Sequence, residues 1–111
     1  MKVTNDFFQK VLDERLEKID NVLAKKAKEY MRNEDRLHNF NKAAQITGES
    51  REKILWNGFA LKHYVSVCDI IEDIENKQVV TNDIIDEKIG DLINYLVLLE
   101  VSLKHRNELG I

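Results

Sequence analysis

Proline is absent from this chain of 111 residues and glycine occurs at only four positions, so the residues that most often interrupt helices are nearly missing. Apolar residues recur at intervals of three or four over long stretches, as they do on one face of an amphipathic helix. These features predict an all-α fold, an antiparallel bundle of about four helices. The length suffices for one domain with a single core, and we assign the range 1–111 to it.

The first half of the chain predicts two helices. One extends from about Asn5 to Met31, with Thr4 or Asn5 as its N-cap. Its apolar stripe consists of Phe8, Val11, Leu12, Leu16, Ile19, Leu23, Ala27 and Tyr30. After a break at 33–35, a shorter helix is predicted to end at Gly48, because glycine suits the left-handed position that follows a helix.

The second half predicts two longer helices. Ser50 is expected to cap one that runs from Arg51 to about Glu75, and a short connection follows it. Thr81 or Asn82 should cap the last helix, which runs from about Asp83 to Lys104. A connection this short makes the two flanking helices antiparallel neighbours.

Composition narrows the class of protein. Charged residues make up 33% of the chain and hydrophobic residues 43%, which favours a folded globule over a disordered chain or a membrane protein. The net charge of −3 gives no general attraction to nucleic acid, so no direct nucleic-acid binding is expected. Neither a signal-peptide run nor a spanning stretch is present, and we expect a cytoplasmic protein without membrane contact. Cys68 and the aromatic residues Trp56, Phe59 and Tyr64 are expected in the core, the aromatics less readily as a base-stacking surface.

Polar side chains line one side of the last predicted helix, which is otherwise apolar. Glu87, Asp91 and Asn94 are spaced four and three residues apart, so they lie on the same side. Two carboxylates a turn apart repel each other, and burying them costs free energy unless a cation or a hydrogen-bond donor compensates their charge. The preceding helix carries a second polar stripe at the same spacing, formed by Lys62, Ser66, Asp69 and Asp73 beside His63 and Glu72.

Two interpretations of these stripes stay open on spacing alone. In the first, antiparallel pairing places Asp69 between Glu87 and Asp91 in height, and the carboxylates hold Mg²⁺ or Mn²⁺ with phosphate completing the shell. In the second, Lys62 and His63 neutralise Glu87 and Asp91 by buried ion pairs, and the other acids are solvated. His63 also fits a metal ligand, a phosphate contact or a hydrogen-bonded core position.

The run from Asp86 to Leu96 resembles the helix of MazG-like all-α nucleoside triphosphate pyrophosphatases that carries an acid-rich run ending in Gly-Asp, followed by an apolar stretch. The upstream segments that look like small bacterial and phage relatives of that superfamily, often labelled nucleotide-modification-associated, are Glu29-Tyr30, Asp35-Arg36, Asn39-Phe40 and Leu61-Lys62-His63-Tyr64-Val65-Ser66. Together the similar segments cover about residues 25 to 104.

The resemblance implies a bundle that binds Mg²⁺ through paired acids on two antiparallel helices and splits a nucleotide between its α and β phosphates. It also implies a homodimer or homotetramer. The metal ligands that it implies are Asp69, Glu72, Glu87 and Asp91, with Asp69, Glu87 and Asp91 as the catalytic set. The residues expected to contact or orient the nucleotide are Lys62, His63, Ser66, Asn94 and Arg36, although Arg36 equally fits a solvated helix start.

These features support one leading hypothesis, a Mg²⁺-dependent nucleoside triphosphate pyrophosphohydrolase or a nucleotide-binding relative acting in nucleotide-pool or phage DNA metabolism. The alternative is a non-catalytic, phage-encoded interaction protein that modulates a host or defence protein. Two lysines motivate this alternative. Lys88 stands where enzymes of the superfamily carry an acid of the pair on the later helix, and Lys62 stands where their earlier acidic helix typically carries an acid.

Overall fold

The structure is a computed structural model and describes residues 1–25, 28–29 and 31–110. In that part of the chain all long regular elements are helical and no β-strand forms, which confirms the predicted all-α class. The helices α1, α2 and α4 are Asn5–Ile19, His38–Thr47 and Asn82–Leu109. Helix α1 continues without a break as the π-helical segment Asp20–Lys25.

Helix α3 is one continuous run with a π-helical middle. Its three consecutive parts are Arg51–Lys53, the π-helical segment Ile54–Ala60, and Leu61–Glu75. At the second junction the N–H of Leu61 donates to the carbonyl of Trp56, five residues earlier rather than four. Such a turn accommodates one extra residue without ending the helix.

Local capping groups set most helix ends where the sequence predicts them. The side-chain oxygens of Thr4, Ser50 and Thr81 each accept a hydrogen bond from the backbone N–H three residues later, at 3.1, 3.1 and 3.3 Å. Gly48 follows α2 with a φ of 75°, the left-handed conformation that glycine adopts without strain. Helix α4 extends past its predicted end to Gly110, where the same conformation, with a φ of 71°, ends it.

The predicted first helix is too long at its C-terminal end. Met31 lies outside any helix, and the chain turns at Asn33 and Glu34, whose φ angles of 52° and 63° are incompatible with a right-handed helix. Ala27 and Tyr30, which the prediction places in the apolar stripe, lie outside the described residues.

The hydrophobic core is small and occupies one end of the molecule. Leu37, Phe40 and Leu55 are buried, and they pack with partly buried residues of α3 and α4 that include Phe59 and Leu98. The core therefore joins α2, the first part of α3 and the C-terminal half of α4. Among the described residues, no helix combines the length and the apolar content that crossing a membrane requires.

Three predicted core residues of α3 are exposed instead. Trp56 is 40% exposed and Tyr64 51% exposed, and Cys68 is exposed as well. The prediction of burial was wrong for these side chains because helix periodicity identifies an apolar face but not whether another element covers it. Of the three predicted aromatic core residues, only Phe59 packs against the core.

Helix α1 lies outside this core and is attached to the N-terminal half of α4 by polar contacts. The guanidinium of Arg15 donates to the backbone carbonyl of Asp86 at 3.2 Å, and Lys18 Nζ lies 2.7 Å from the Asp86 carboxylate. Gly90 makes room for this arrangement, because a Cβ there would stand 2.6 Å from Arg15 Nη1. The ring of Phe8, by contrast, stays 64% exposed.

A buried polar network fixes α3 against α4. Ser102 is fully buried, its hydroxyl accepts a hydrogen bond from Arg51 Nε at 2.6 Å, and it donates to Glu52. Arg106 completes the network by donating to Glu52 at 2.9 Å. Burial by itself raises the pKa of Glu52, but the hydrogen bonds from Ser102 and Arg106 outweigh it and hold the pKa below its ordinary value.

The same contacts show that α3 and α4 are antiparallel, as predicted. Glu52, near the start of α3, meets Arg106 near the end of α4, whereas His63, further along α3, meets Asp91 in the first half of α4. The predicted register, with Asp91 level with position 67, is therefore correct to within about one helical turn.

We expect Ser102→Ala to destabilise the protein by about 1–3 kcal/mol, because it removes the buried acceptor of Arg51 Nε and one of the donors to the Glu52 carboxylate. Ser66→Ala is the matched control, since the Ser66 hydroxyl donates only to the Lys62 carbonyl of its own helix at 3.1 Å. Urea unfolding followed by circular dichroism measures both changes. Equal effects of the two substitutions would contradict a structural role for the network.

The lowered pKa of Glu52 also predicts a pH dependence. Its folded-state pKa lies below the ordinary value of 4.5, so its stabilisation is present above that value and is lost as the pH falls through the folded-state pKa. The free energy of unfolding of Glu52→Gln should therefore fall short of wild type by about 2 kcal/mol at pH 7, and the difference should shrink as the pH is lowered below 4.5. A difference that does not change over this range would contradict this assignment.

Candidate functional site

The two polar stripes meet where His63 of α3 faces Asp91 of α4. His63 Nδ1 lies 3.7 Å from Asp91 Oδ2, with the histidine side chain 17% exposed and the aspartate side chain 41% exposed. The imidazole also stacks on the ring of Tyr95, with centroids 5.1 Å apart and planes 10° from parallel. The histidine is thus held between a carboxylate and an aromatic ring, with the carboxylate partly open to solvent.

An aromatic row anchors this contact to the core. Phe40 meets Phe59 edge to face with centroids 5.4 Å apart, and Phe59 stacks on Tyr95 at 5.3 Å. Because Phe40 is buried in the core, the row fixes the position of Tyr95 and, through it, that of His63. A cavity of about 150 Å³ opens beside the row and is lined in part by Asn39 and Ala43.

The buried ion pairs considered from the sequence form only in part. His63 stands beside Asp91 as that interpretation expects, but Glu87 is paired with Lys88, whose Nζ lies 3.8 Å from Glu87 Oε1. The Glu87 side chain is 62% exposed, so this pair contributes little to stability. Lys62 is exposed on α3. Glu87 and Asp91 therefore remain accessible to a ligand.

The predicted metal ligands of α3 are exposed. Asp69 and Glu72 face solvent, and within the described ranges no group of three or more His, Cys, Asp or Glu side chains is placed to hold a metal ion. Mg²⁺ often takes only one or two carboxylates from a protein and completes its octahedral shell with water and phosphate oxygens. Glu87 and Asp91 fit that mode of binding, whereas a cage built entirely from protein ligands does not fit these residues.

Asn94, the third member of the α4 stripe, carries an unsatisfied group. Its Oδ1 atom is buried and has no hydrogen-bond partner among the described residues. An amide oxygen left without a partner costs about 1–3 kcal/mol, a penalty that proteins often tolerate where a ligand supplies the donor. Ser66 differs, because its hydroxyl is already bonded to the Lys62 carbonyl.

Arg36 has a structural partner away from the stripes. Its guanidinium donates to the carbonyl of Leu23, which ties the connection before α2 to the end of the first helix. Its neighbour Asp35 accepts hydrogen bonds from the Leu37 N–H at 2.9 Å and from the Asn41 amide at 2.8 Å. Both residues thus stabilise the start of α2, which is a structural role.

Sequence reasoning missed the residues that position the stripes. Asp86 accepts hydrogen bonds from Arg15 and Lys18 of α1, which the spacing of the acidic residues does not indicate. The network around Ser102 gave no signal at all, since a serine within an apolar helix has many explanations. Both sets depend on contacts between distant parts of the chain, which no local spacing reveals.

We expect Asn94→Leu to stabilise the protein by about 1 kcal/mol, because it removes a buried, unpaired amide oxygen and puts an apolar group of similar size in its place. Asn107→Leu, at an exposed position of the same helix, controls for the change in helix propensity. Thermal and urea unfolding of the two variants supply the comparison. A loss of 1 kcal/mol or more at position 94 would mean that Oδ1 has a partner, such as an ordered water.

Comparison with known proteins adds no assignment to this geometry. No protein-family model, no curated protein and no solved structure matches the chain. The function is therefore inferred from its own residues, from the geometry of α3 and α4, and from the sequence resemblance described above.

Proposed function

We propose that this chain binds a nucleotide through its phosphates at the exposed edge of the α3–α4 pair and hydrolyses it as a Mg²⁺-dependent pyrophosphohydrolase. The observation that carries the proposal is the α4 stripe, in which Glu87 and Asp91 are accessible a turn apart and Asn94 Oδ1 is buried without a partner. These are hard oxygen ligands and one unused acceptor, gathered on one side of one helix.

Each residue of the stripes has a role in this proposal. Glu87 and Asp91 would hold Mg²⁺ together with phosphate and water oxygens, and the ion would polarise the phosphate and activate a water for attack. The reaction consumes one water and converts a nucleoside triphosphate into a nucleoside monophosphate and pyrophosphate. Lys62, exposed on α3, would contact phosphate oxygens. Asn94, whose Oδ1 is buried and unpaired, would accept a hydrogen bond from a water that enters with the nucleotide.

His63 acts on the stripe through Asp91. Its ring is held by Tyr95 and its Nδ1 atom lies 3.7 Å from the carboxylate, close enough to limit the space on that side of Asp91 but beyond hydrogen-bond distance. Asp69 and Glu72 face solvent on α3 and are not needed as ligands in this mode of binding, so their role stays a prediction from the sequence, as does that of Ser66 as an orienting group.

A second function is favoured by the position of Lys88. Its ammonium group next to Glu87 opposes the binding of a cation, as expected for a non-catalytic relative that recognises a host or defence protein. In this alternative the stripe is a polar part of a protein interface, and Glu87 and Asp91 have no catalytic role.

We expect purified protein to release pyrophosphate from at least one nucleotide of a panel only when Mg²⁺ is present. Glu87→Gln and Asp91→Asn should each lower kcat/KM by about 100-fold, since each removes a charged metal ligand. Glu108→Gln, an exposed acid near the end of α4, is the matched control and should leave the rate unchanged. The proposal fails if there is neither Mg²⁺-dependent release nor thermal stabilisation by Mg²⁺ and nucleotide together.

Replacement of Lys88 separates the two functions. Lys88→Glu removes the opposing charge and adds a carboxylate, so the Mg²⁺ concentration needed for thermal stabilisation with nucleotide should fall about tenfold if the stripe binds a metal. Lys77→Glu makes the same change of charge at an exposed position in the α3–α4 connection. An equal response of both variants would favour the non-catalytic interaction protein.

A further inference from the structure

We propose that a pocket near the C-terminal end of α4 binds the phosphate group of a small phosphate monoester. The pocket has a volume of about 390 Å³. Val101 and His105, which line it, follow Asp91 by ten and fourteen residues, about 15 and 21 Å along the helix axis. It is therefore separate from the α4 stripe, and the proposal does not depend on the proposed hydrolysis. We call it the Arg51–His105 pocket, and its lining residues include Asp35, Arg36, Asn41, Arg51, Val101 and His105.

The guanidinium of Arg51 is held in place by the protein itself. Its Nε atom donates to the Ser102 hydroxyl at 2.6 Å, and Nη2 donates to the Ser102 carbonyl at 3.2 Å. Nη1 donates to Asn41 Oδ1 at 3.1 Å, and the side chain is only 13% exposed. Because Nη1 carries two hydrogens and uses one for Asn41, a fixed cation keeps one N–H for a ligand. A donor that is already ordered loses little entropy when it binds.

The contact between Arg51 and His105 determines which ring nitrogen of the histidine donates. Arg51 Nη2 lies 3.3 Å from His105 Nδ1. Since a guanidinium has only donors, Nδ1 must be the acceptor, and the neutral ring carries its proton on Nε2. The Nε2–H group is therefore a second donor at the pocket, and it comes from α4.

Arg36 supplies a second guanidinium from the connection before α2. Its bond to the Leu23 carbonyl uses one of five N–H groups, and among the described residues it has no other acceptor. The three donor side chains thus come from three different elements, and they approach the pocket from different directions. A tetrahedral phosphate offers three oxygens to such an arrangement, whereas a planar carboxylate offers two.

The one carboxylate that lines the pocket is already engaged. Asp35 Oδ1 accepts from the Leu37 N–H, and Oδ2 accepts from the amide of Asn41. Burial by itself raises the pKa of Asp35, but these hydrogen bonds and the charges of His38 and Arg51 hold it below its ordinary value. Asp35 is thus an anion whose charge the protein compensates, and it positions Asn41 against Arg51.

The charge and the size of the pocket fit a phosphorylated molecule. Its two arginines and one aspartate sum to +1 with the histidine neutral, in a chain whose net charge is −3. Glu52, 3.4 Å from Arg51, is paired with Arg106 at 2.9 Å. The volume exceeds what a phosphate ion needs, and Val101, 48% exposed, provides an apolar wall for the rest of a ligand.

Inorganic phosphate is the first probe, added to ¹⁵N-labelled wild-type protein at constant ionic strength. The buffer contains a chelator and no Mg²⁺, through which the α4 stripe is proposed to hold phosphate. We expect saturable shifts of the Arg36 and Arg51 Nε–H signals and of the Val101 and His105 amides, with a dissociation constant below about 10 mM. Shifts that do not saturate, or that centre on residues 87–94, would overturn the proposal.

Two further ligands test the class of molecule in the same titration. Acetate should bind about tenfold more weakly than phosphate, because it offers fewer oxygens to the three donors. Phenyl phosphate should bind at least about threefold more tightly than phosphate, because its ring covers the apolar wall. An affinity for acetate equal to that for phosphate, or no gain from the phenyl group, would contradict the assignment to a phosphate monoester.

Three variants test the donors. His105→Phe keeps a ring but removes Nε2–H, and Arg36→Gln removes a guanidinium, so each should weaken phosphate binding about tenfold. Lys53→Gln removes a positive charge at an exposed position of α3 outside the pocket lining and should change the affinity less than about threefold. An equal loss in all three would indicate a diffuse attraction and overturn the proposal. The titration of wild type decides the question even if a variant fails to fold.

Discussion

The hydrogen bonds of the Ser102 hydroxyl fix α3 against α4, and the relative position of these two helices depends on them. The hydroxyl lies at the centre of the bonds from Arg51 and to Glu52, and it joins the start of α3 to the last third of α4. Because an α-helix is stiff, a fixed contact near the start of α3 sets the register along the pair. The encounter of His63 with Asp91, about three turns further along α3, follows from that register. The same register of α3 against α4 therefore determines both the buried network and the position of the polar site.

Local signals account for most of the fold that the sequence predicted. The caps at Thr4, Ser50 and Thr81 depend only on the residue and its next three neighbours, and the left-handed position of Gly48 depends on one residue. The antiparallel arrangement of α3 and α4 follows from a short connection. Each of these features is a property of a few consecutive residues, which is why spacing and composition reveal it.

The candidate site was predictable in part. The face shared by Glu87, Asp91 and Asn94 follows from helix periodicity, and the approach of His63 to Asp91 follows from the register. Three features could not be predicted from the sequence, because they depend on which surfaces other elements cover. They are the ion pair between Glu87 and Lys88, the unpaired Asn94 Oδ1 and the exposure of Cys68. A small core that reaches only part of α3 leaves apolar residues uncovered that the pattern alone would bury.

The π-helical segment Ile54–Ala60 has a consequence for how the two ends of α3 face their neighbours. One additional residue in a helical turn rotates everything beyond it by about 100° relative to an uninterrupted α-helix. Leu55 therefore points into the core, while His63 points at the α4 stripe. Because of this rotation, the first part of α3 faces the hydrophobic core and the later part presents polar groups to α4. A homologue shorter by one residue in this segment could keep both orientations with an ordinary α-helix.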